Sequence, residues 1–196
     1  MKVSAMRTYI QNSLFKCLMD KNFKSTHPQT FHRFTPDVIE IFSIKFLDKH
    51  NAAYFNTNTA SFSLNLGIYF NFEEKSEFHP QEYHAHIRGC LTRNFYQKHP
   101  MDLNGFSLFH PERFRRDLWW VDGDGSNLKS VTVNAVKRIN TKADPWFNRH
   151  SKVDYVLKYL KTKPEQEPHK GGPFGFGSIN SPARLNLIQQ LENKCR

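Results

Sequence analysis

The sequence predicts an α+β fold: an antiparallel sheet of about four to five strands, with an N-terminal helix and C-terminal helices packed on it. Three observations carry that expectation. Residues 61–70, "SFSLNLGIYF", alternate strictly, with Phe62, Leu64, Leu66, Ile68 and Phe70 on one face and smaller or polar residues on the other. Apolar residues at helical spacing open the chain and recur in its last third. The 196 residues include 18 Phe, seven Tyr and three Trp, flat rings that pack well on pleated surfaces.

Each element follows in order. Ile10, Leu14, Phe15 and Leu18 make residues 4–20 an amphipathic helix. The polar, proline-punctuated "KSTHPQ" reads as a connector. "TFHRF" (30–34) is a short strand, and "VIEIFSIKF" (38–46) is a β-branched and aromatic one. Turn chemistry in "NTNTA" makes strands 38–46 and 61–70 antiparallel neighbours. Residues 84–95 read as a strand that sets His84, His86, Arg88 and Cys90 on one face. Residues 96–116 are loop-like, with Pro100, Gly105 and Pro111. "DLWWV" (117–121) is a further strand, its Trp pair one core ring and one capping ring. "DGDGS" is a turn in which Asp124 or Ser126 caps a helix. That helix runs from Leu128 to Phe147, held by packing and kinked or divided at Pro145. Ser151, with Asp154 three residues on, opens another helix through Leu160. "KTKPEQEPHKGGPFGFG" is breaker-rich, and Ser181 with Pro182 starts a last helix. The expected organisation is a domain over 1–163, a Gly/Pro-rich loop over 164–180, and a C-terminal helix over 181–196 that docks on the domain.

Composition narrows the function classes. No apolar run is long enough for a membrane span, and no secretory signal is visible, so no membrane partner is expected. Cys17, Cys90 and Cys195 are odd in number and widely spaced, which argues against disulfides and for a reducing cytoplasm. The net charge of +10 is unevenly placed. Lys129–Lys170 holds ten basic and four acidic residues, and Arg88–Arg116 holds six and two. Such a field favours encounter with an acidic protein or with nucleic acid. Arg88, Arg113, Arg115, Arg116, Lys137, Arg138 and Arg149 are the candidate contact residues. Rings beside "ERFRRD" (112–117) would also suit single-stranded nucleic acid.

His84 and His86 form an H-x-H pair that could supply two imidazoles to zinc. His79, Glu82, Cys90 and Asp122 are the available third ligands, none at a diagnostic spacing. The competing reading is a polar sheet face on which His86 and Arg88 meet Asn65 and Tyr69. A calcium loop starting at Asp122 would place Val133 where a glutamate is required, so "VDGDGSN" reads as a turn and cap. "GGPFGFG" lacks the order of a phosphate-binding loop, and its Phe174 and Phe176 favour docking.

The run "SFSLNLGIYF…HPQEYHAHIRGCL" resembles the bacterial domain-of-unknown-function 4304 family, with an "NLGIYF"-like strand, a connector, then "HIR". The Phe23–Lys24 step, the Phe31-x-Arg33 element and "ADPWFNRHSKVDYVLKYL" are similar too. The resemblance spans Ser4–Leu160 and departs at the Arg-rich 96–116 stretch and the glycine-rich tail. Only His86 and Arg88 match "HIR", so His84 stands outside the pattern. The resemblance implies a fold and a bacterial setting but no activity, so no catalytic residue is carried over. The expected function is a non-enzymatic interaction protein, an accessory or immunity-like component of a toxin or defence system, docking on an acidic partner. A nucleic-acid-binding accessory and a metal-dependent hydrolase using His84 and His86 are the alternatives.

Overall fold

A computed structural model describes residues 1–72, 79–93, 116–167 and 172–195. The chain is α+β. Helix α1 (Val3–Met19) leads into strands β1 (Lys24–His27), β2 (Thr30–Phe34) and β3 (Val38–Phe46). Helix α2 (Lys49–Tyr54) and strand β4 (Phe62–Phe70) follow, then β5 (Ile87–Cys90) and β6 (Leu118–Trp119). Helices α3 (Leu128–Arg138), α4 (Asp144–His150), α5 (Val153–Thr162) and α6 (Pro182–Lys194) complete it.

The sheet is an antiparallel meander in the order β1-β2-β3-β4-β5, with the two-residue β6 also paired to β4. Strands β3 and β4 pair over their full nine residues, from Val38↔Phe70 to Phe46↔Phe62. That register puts the alternating apolar set of β4 beside Val38, Phe42 and Ile44, and both sets lie in the main core. Met6, Ile10, Leu14 and Leu18 of α1 are fully buried against the same face. Each such side chain contributes about 1.5–3 kcal/mol on burial. Asn22 adopts φ 63°, and the Phe23 amide returns to the Leu18 carbonyl, which closes α1 and drops the Phe23 ring into the core.

The opposite face of the sheet is crossed by residues 79–85. His32, buried in β2, bonds the Pro80 carbonyl at 2.7 Å, and Ala85 packs with Ile41. Trp119 stacks on Phe62 in the main core, whereas Trp120 joins Phe55 and Leu118 in a separate cluster. The C-terminal segment folds back. Phe174 pairs with Arg88 of β5, and Phe176, Leu187 and Leu191 enter the main core. Arg184 is fully buried and donates to the carbonyls of Leu160, Lys163 and Gly177, so its guanidinium caps the end of α5. Among the described residues no helix is long and apolar enough to cross a membrane.

Several local expectations are corrected. The polar "KSTH" forms β1, and α2 occupies the stretch before "NTNTA". The strand expected from residue 84 begins at Ile87, because Glu82–His84 is a 3-10 turn. Ser126 donates its amide to Asp124 and its hydroxyl to Asp122, and neither Asp124 nor Ser126 caps α3. The long helix is divided by a π-helical turn at Ile139–Ala143, and Pro145 sits harmlessly in the first turn of α4. Ser151 caps nothing; its hydroxyl donates to Glu40. Most of the 96–116 stretch lies outside the described residues.

Candidate functional site

Helix α4 is held to the sheet by a charge cluster. Arg33 of β2 donates through Nε to Glu40 of β3 and through Nη1 to Asp144 at 3.0 Å. Lys21 reaches the other Asp144 oxygen at 2.7 Å, and Ser151 donates to Glu40 at 3.2 Å. The Arg33 guanidinium lies 4.7 Å from the Phe23 ring centre and 5.7 Å from that of Phe147. Burial opposes the charge on Arg33, but the Glu40 and Asp144 carboxylates outweigh it and hold its pKa above the ordinary value. Burial likewise works against an ionised Asp144, yet hydrogen bonds from Lys21 and Arg33 keep its pKa below the usual range. This cluster sets the height and rotation of α4. Phe23, Arg33, Asp144 and Phe147, distant in sequence, meet here.

Asp144 and Ser151 meet β2 and β3 and Phe147 enters the main core, while Trp146 packs on Gly89 of β5 beside Arg149 and His150. There a cleft of about 270 Å³ opens between the end of β5 and the α3–α4 run. Arg138, Lys142 and Arg149 line it, with Thr92, Trp146, His150 and Cys90. No carboxylate is among these lining residues, and none of the three cations makes an ion pair among the described residues. The π-turn carries Lys142 and offsets α4 from α3, so Arg138, Lys142 and Arg149 converge from successive turns.

Arg138 donates through Nε to the Thr92 carbonyl at 2.5 Å. Burial, reinforced by the nearby Arg116 charge, lowers its pKa. Repulsion between cations that stay together is a cost an anion would relieve. His150 is only 5% exposed, and its Nδ1 bonds the Trp146 carbonyl at 2.7 Å, so that nitrogen carries the proton. Its ring stacks on Trp146 at 4.3 Å. Burial pushes its pKa down to about 4, with Arg149 adding to the shift against the Trp146 hydrogen bond. Both His150 Nε2 and Trp146 Nε1 are buried without a hydrogen-bond partner. Gly89 allows this packing: a Cβ there would stand 2.5 Å from Trp146 Cζ2.

The residues singled out in sequence are divided by the structure. Arg138 and Arg149 share the cleft, and Arg116 stands near Arg138 while donating to the Arg93 carbonyl at 3.0 Å. Lys137 is exposed at the end of α3 and does not line the cleft. Arg88 is half-buried under the C-terminal loop, its guanidinium 5.3 Å from the Phe174 ring. Arg113 and Arg115 lie outside the described residues. His84 and His86 are split between a 3-10 turn and the approach to β5, and each Nδ1 accepts a backbone N–H, from Gln81 and Phe70. His86 stacks on Tyr69. Among the described residues no group of three or more His, Cys, Asp or Glu is arranged to hold a metal ion. Lys142 was missed by sequence reading. Its signal was the spacing of 138, 142, 145 and 149, one helical face bearing three cations and no acid.

Fold and cleft together define a small α+β domain with a basic hollow beside one helix whose described lining holds no carboxylate. The chain belongs to the DUF4304 family: the model of that domain of unknown function matches residues 14–149, which covers the sheet, the clamp and the cation-bearing helices. No curated protein and no solved structure matches the chain.

Proposed function

We propose that the protein is a non-enzymatic docking protein of the bacterial cytoplasm that binds an acidic partner protein through the cleft beside α4. The partner class this reading favours is a component of a toxin or defence system, to which the chain acts as an accessory or immunity-like subunit. One observation carries the reading: Arg138, Lys142 and Arg149 line one hollow with no carboxylate among them. Asp144 of α4 is matched by Lys21 and Arg33, whereas the three cleft cations make no ion pair among the described residues. Arginine clusters of this kind bind carboxylates through paired N–H donors. The three free thiols suit a reducing compartment.

Single-stranded nucleic acid is the competing partner. Its binding sites need open ring faces for base stacking. At this cleft the Trp146 ring is already covered by His150 and abutted by Gly89, so it offers no open face for a base. The acidic protein is therefore preferred. Cross-linking in host cells, with the Lys142→Glu/Arg149→Glu chain as control, tests it. The expected result is one acidic protein captured by the wild-type chain and lost from the variant. Capture of nucleic acid alone, sensitive to the same changes, would overturn the protein reading.

A further inference from the structure

The cleft has a neighbour. A second hollow of about 360 Å³ lies along α5, lined by Tyr155, Lys158, Tyr159, Thr162, Lys163 and Pro164. Its walls differ from those of the first: two tyrosine rings and a proline supply apolar surface, with two lysines at the rim. The Tyr159 hydroxyl donates to the Pro164 carbonyl at 3.3 Å, and its ring meets Phe176 edge-on, so the hollow is pre-formed by the folded-back tail. The two hollows share a wall. Arg149, which lines the cleft, stands 5.8 Å over the ring of Tyr155, which lines the groove, and His150 meets the same ring edge-on at 5.4 Å.

We infer that the two hollows receive one peptide segment of the acidic partner, a carboxylate side chain in the Arg138–Lys142–Arg149 cleft and an apolar side chain against the Tyr155 and Tyr159 rings. The inference rests on the docking reading above and specifies its ligand. Charge complementarity names the occupant: among the described residues five cations line the two hollows and no carboxylate does. An all-acidic segment would leave the tyrosine groove unfilled, and an apolar one would leave the cations repelling one another. Tyrosine and arginine are also the residues that most often concentrate binding energy, because each combines a large contact area with a polar end. A charged contact alone gives fast encounter with little selectivity; the apolar contact beside it supplies register.

The test uses the full chain and synthetic fluorescein-labelled peptides in which a Glu-Glu pair precedes a single Phe by one to six residues. Fluorescence anisotropy reads the affinity. The inference expects one spacing to bind best. Changing that peptide's Phe to Ala, or its Glu-Glu to Gln-Gln, weakens binding about tenfold each, as do Arg149→Glu and the groove-filling Thr162→Trp in the protein. Thermal melts of both variants establish that they fold, and the peptide changes need no variant. Affinity that follows peptide charge regardless of spacing, with no loss on Phe→Ala, overturns the two-point inference and leaves the docking reading intact. No effect of Arg149→Glu on any acidic peptide overturns both. Tighter binding of a phosphoserine peptide or an oligothymidylate than of every Glu-Phe peptide assigns the cleft to phosphate and overturns the inference.

Discussion

The two sides of helix α4 carry charge in opposite ways. Toward the sheet, Asp144 is matched by Lys21 and Arg33, and Arg33 by Glu40. Toward the end of β5, Arg138, Lys142 and Arg149 line a hollow with no carboxylate among its described lining residues. The same few turns of helix thus hold a closed ion-pair network and an open one. The closed side is architecture: Glu40 is buried and would be costly alone, and its neighbours Arg33, Lys21 and Asp144 are partly buried. On the open side Arg138 bonds the Thr92 carbonyl, but no described carboxylate offsets the repulsion among its cations.

The largest expected break in this contrast comes from the closed side. Arg33→Ala strands the Glu40 carboxylate, which is 4% exposed, and should lower unfolding free energy by about 3–5 kcal/mol in urea titration. A loss below about 1 kcal/mol would mean the network is solvated and the contrast false. Next is the packing that joins the two sides. Gly89→Ala drives a methyl into Trp146 and should cost about 1–3 kcal/mol, with a shift in tryptophan fluorescence.

The pH dependence is smaller and has a definite sign. His86 and His150 are both pushed to about 4 by burial, so between the ordinary histidine pKa and about 4 the unfolded chain binds protons that the folded chain does not. Stability should therefore fall as pH drops through that window. Asp144, with its pKa held low, adds a further loss at more acidic pH, as the carboxylate takes up a proton and leaves Lys21 and Arg33 unmatched. His150→Gln should flatten the upper window; an unchanged profile would place the histidine in solvent. The smallest effect belongs to the open side. Lys142→Glu and Arg149→Glu, both exposed, should move stability by no more than about 0.5 kcal/mol.

The sheet was legible because its signal is periodic. Strand β4 alternates over its whole length, and β3 is too β-branched to be anything else. Strand β1 and helix α2 were not, since four polar residues and a six-residue helix carry no period long enough to read. The H-x-H pair looked like one strand face because nothing local announces a 3-10 turn; the Gln81 amide that bonds His84 and the Phe70 amide that bonds His86 are tertiary facts. The cleft was partly legible. Charge excess singled out Arg138 and Arg149, which the structure brings into one cleft. It could not separate these from Arg88, which the C-terminal loop covers, because Phe174 lies 86 residues away in sequence. Nor could it show that Asp144, an acid in the same stretch, faces the sheet and leaves the outer cations unneutralised.

The central claim is that the outer cations of α4 serve binding and not folding. One experiment separates the two on a single protein: the Lys142→Glu/Arg149→Glu chain, assayed for its urea midpoint and for its affinity toward the Glu-Glu-Phe peptide that binds the wild-type chain best. The account predicts a midpoint within error of wild type and an affinity at least about a hundredfold weaker. An affinity unchanged by the double reversal, at an unchanged midpoint, would contradict it.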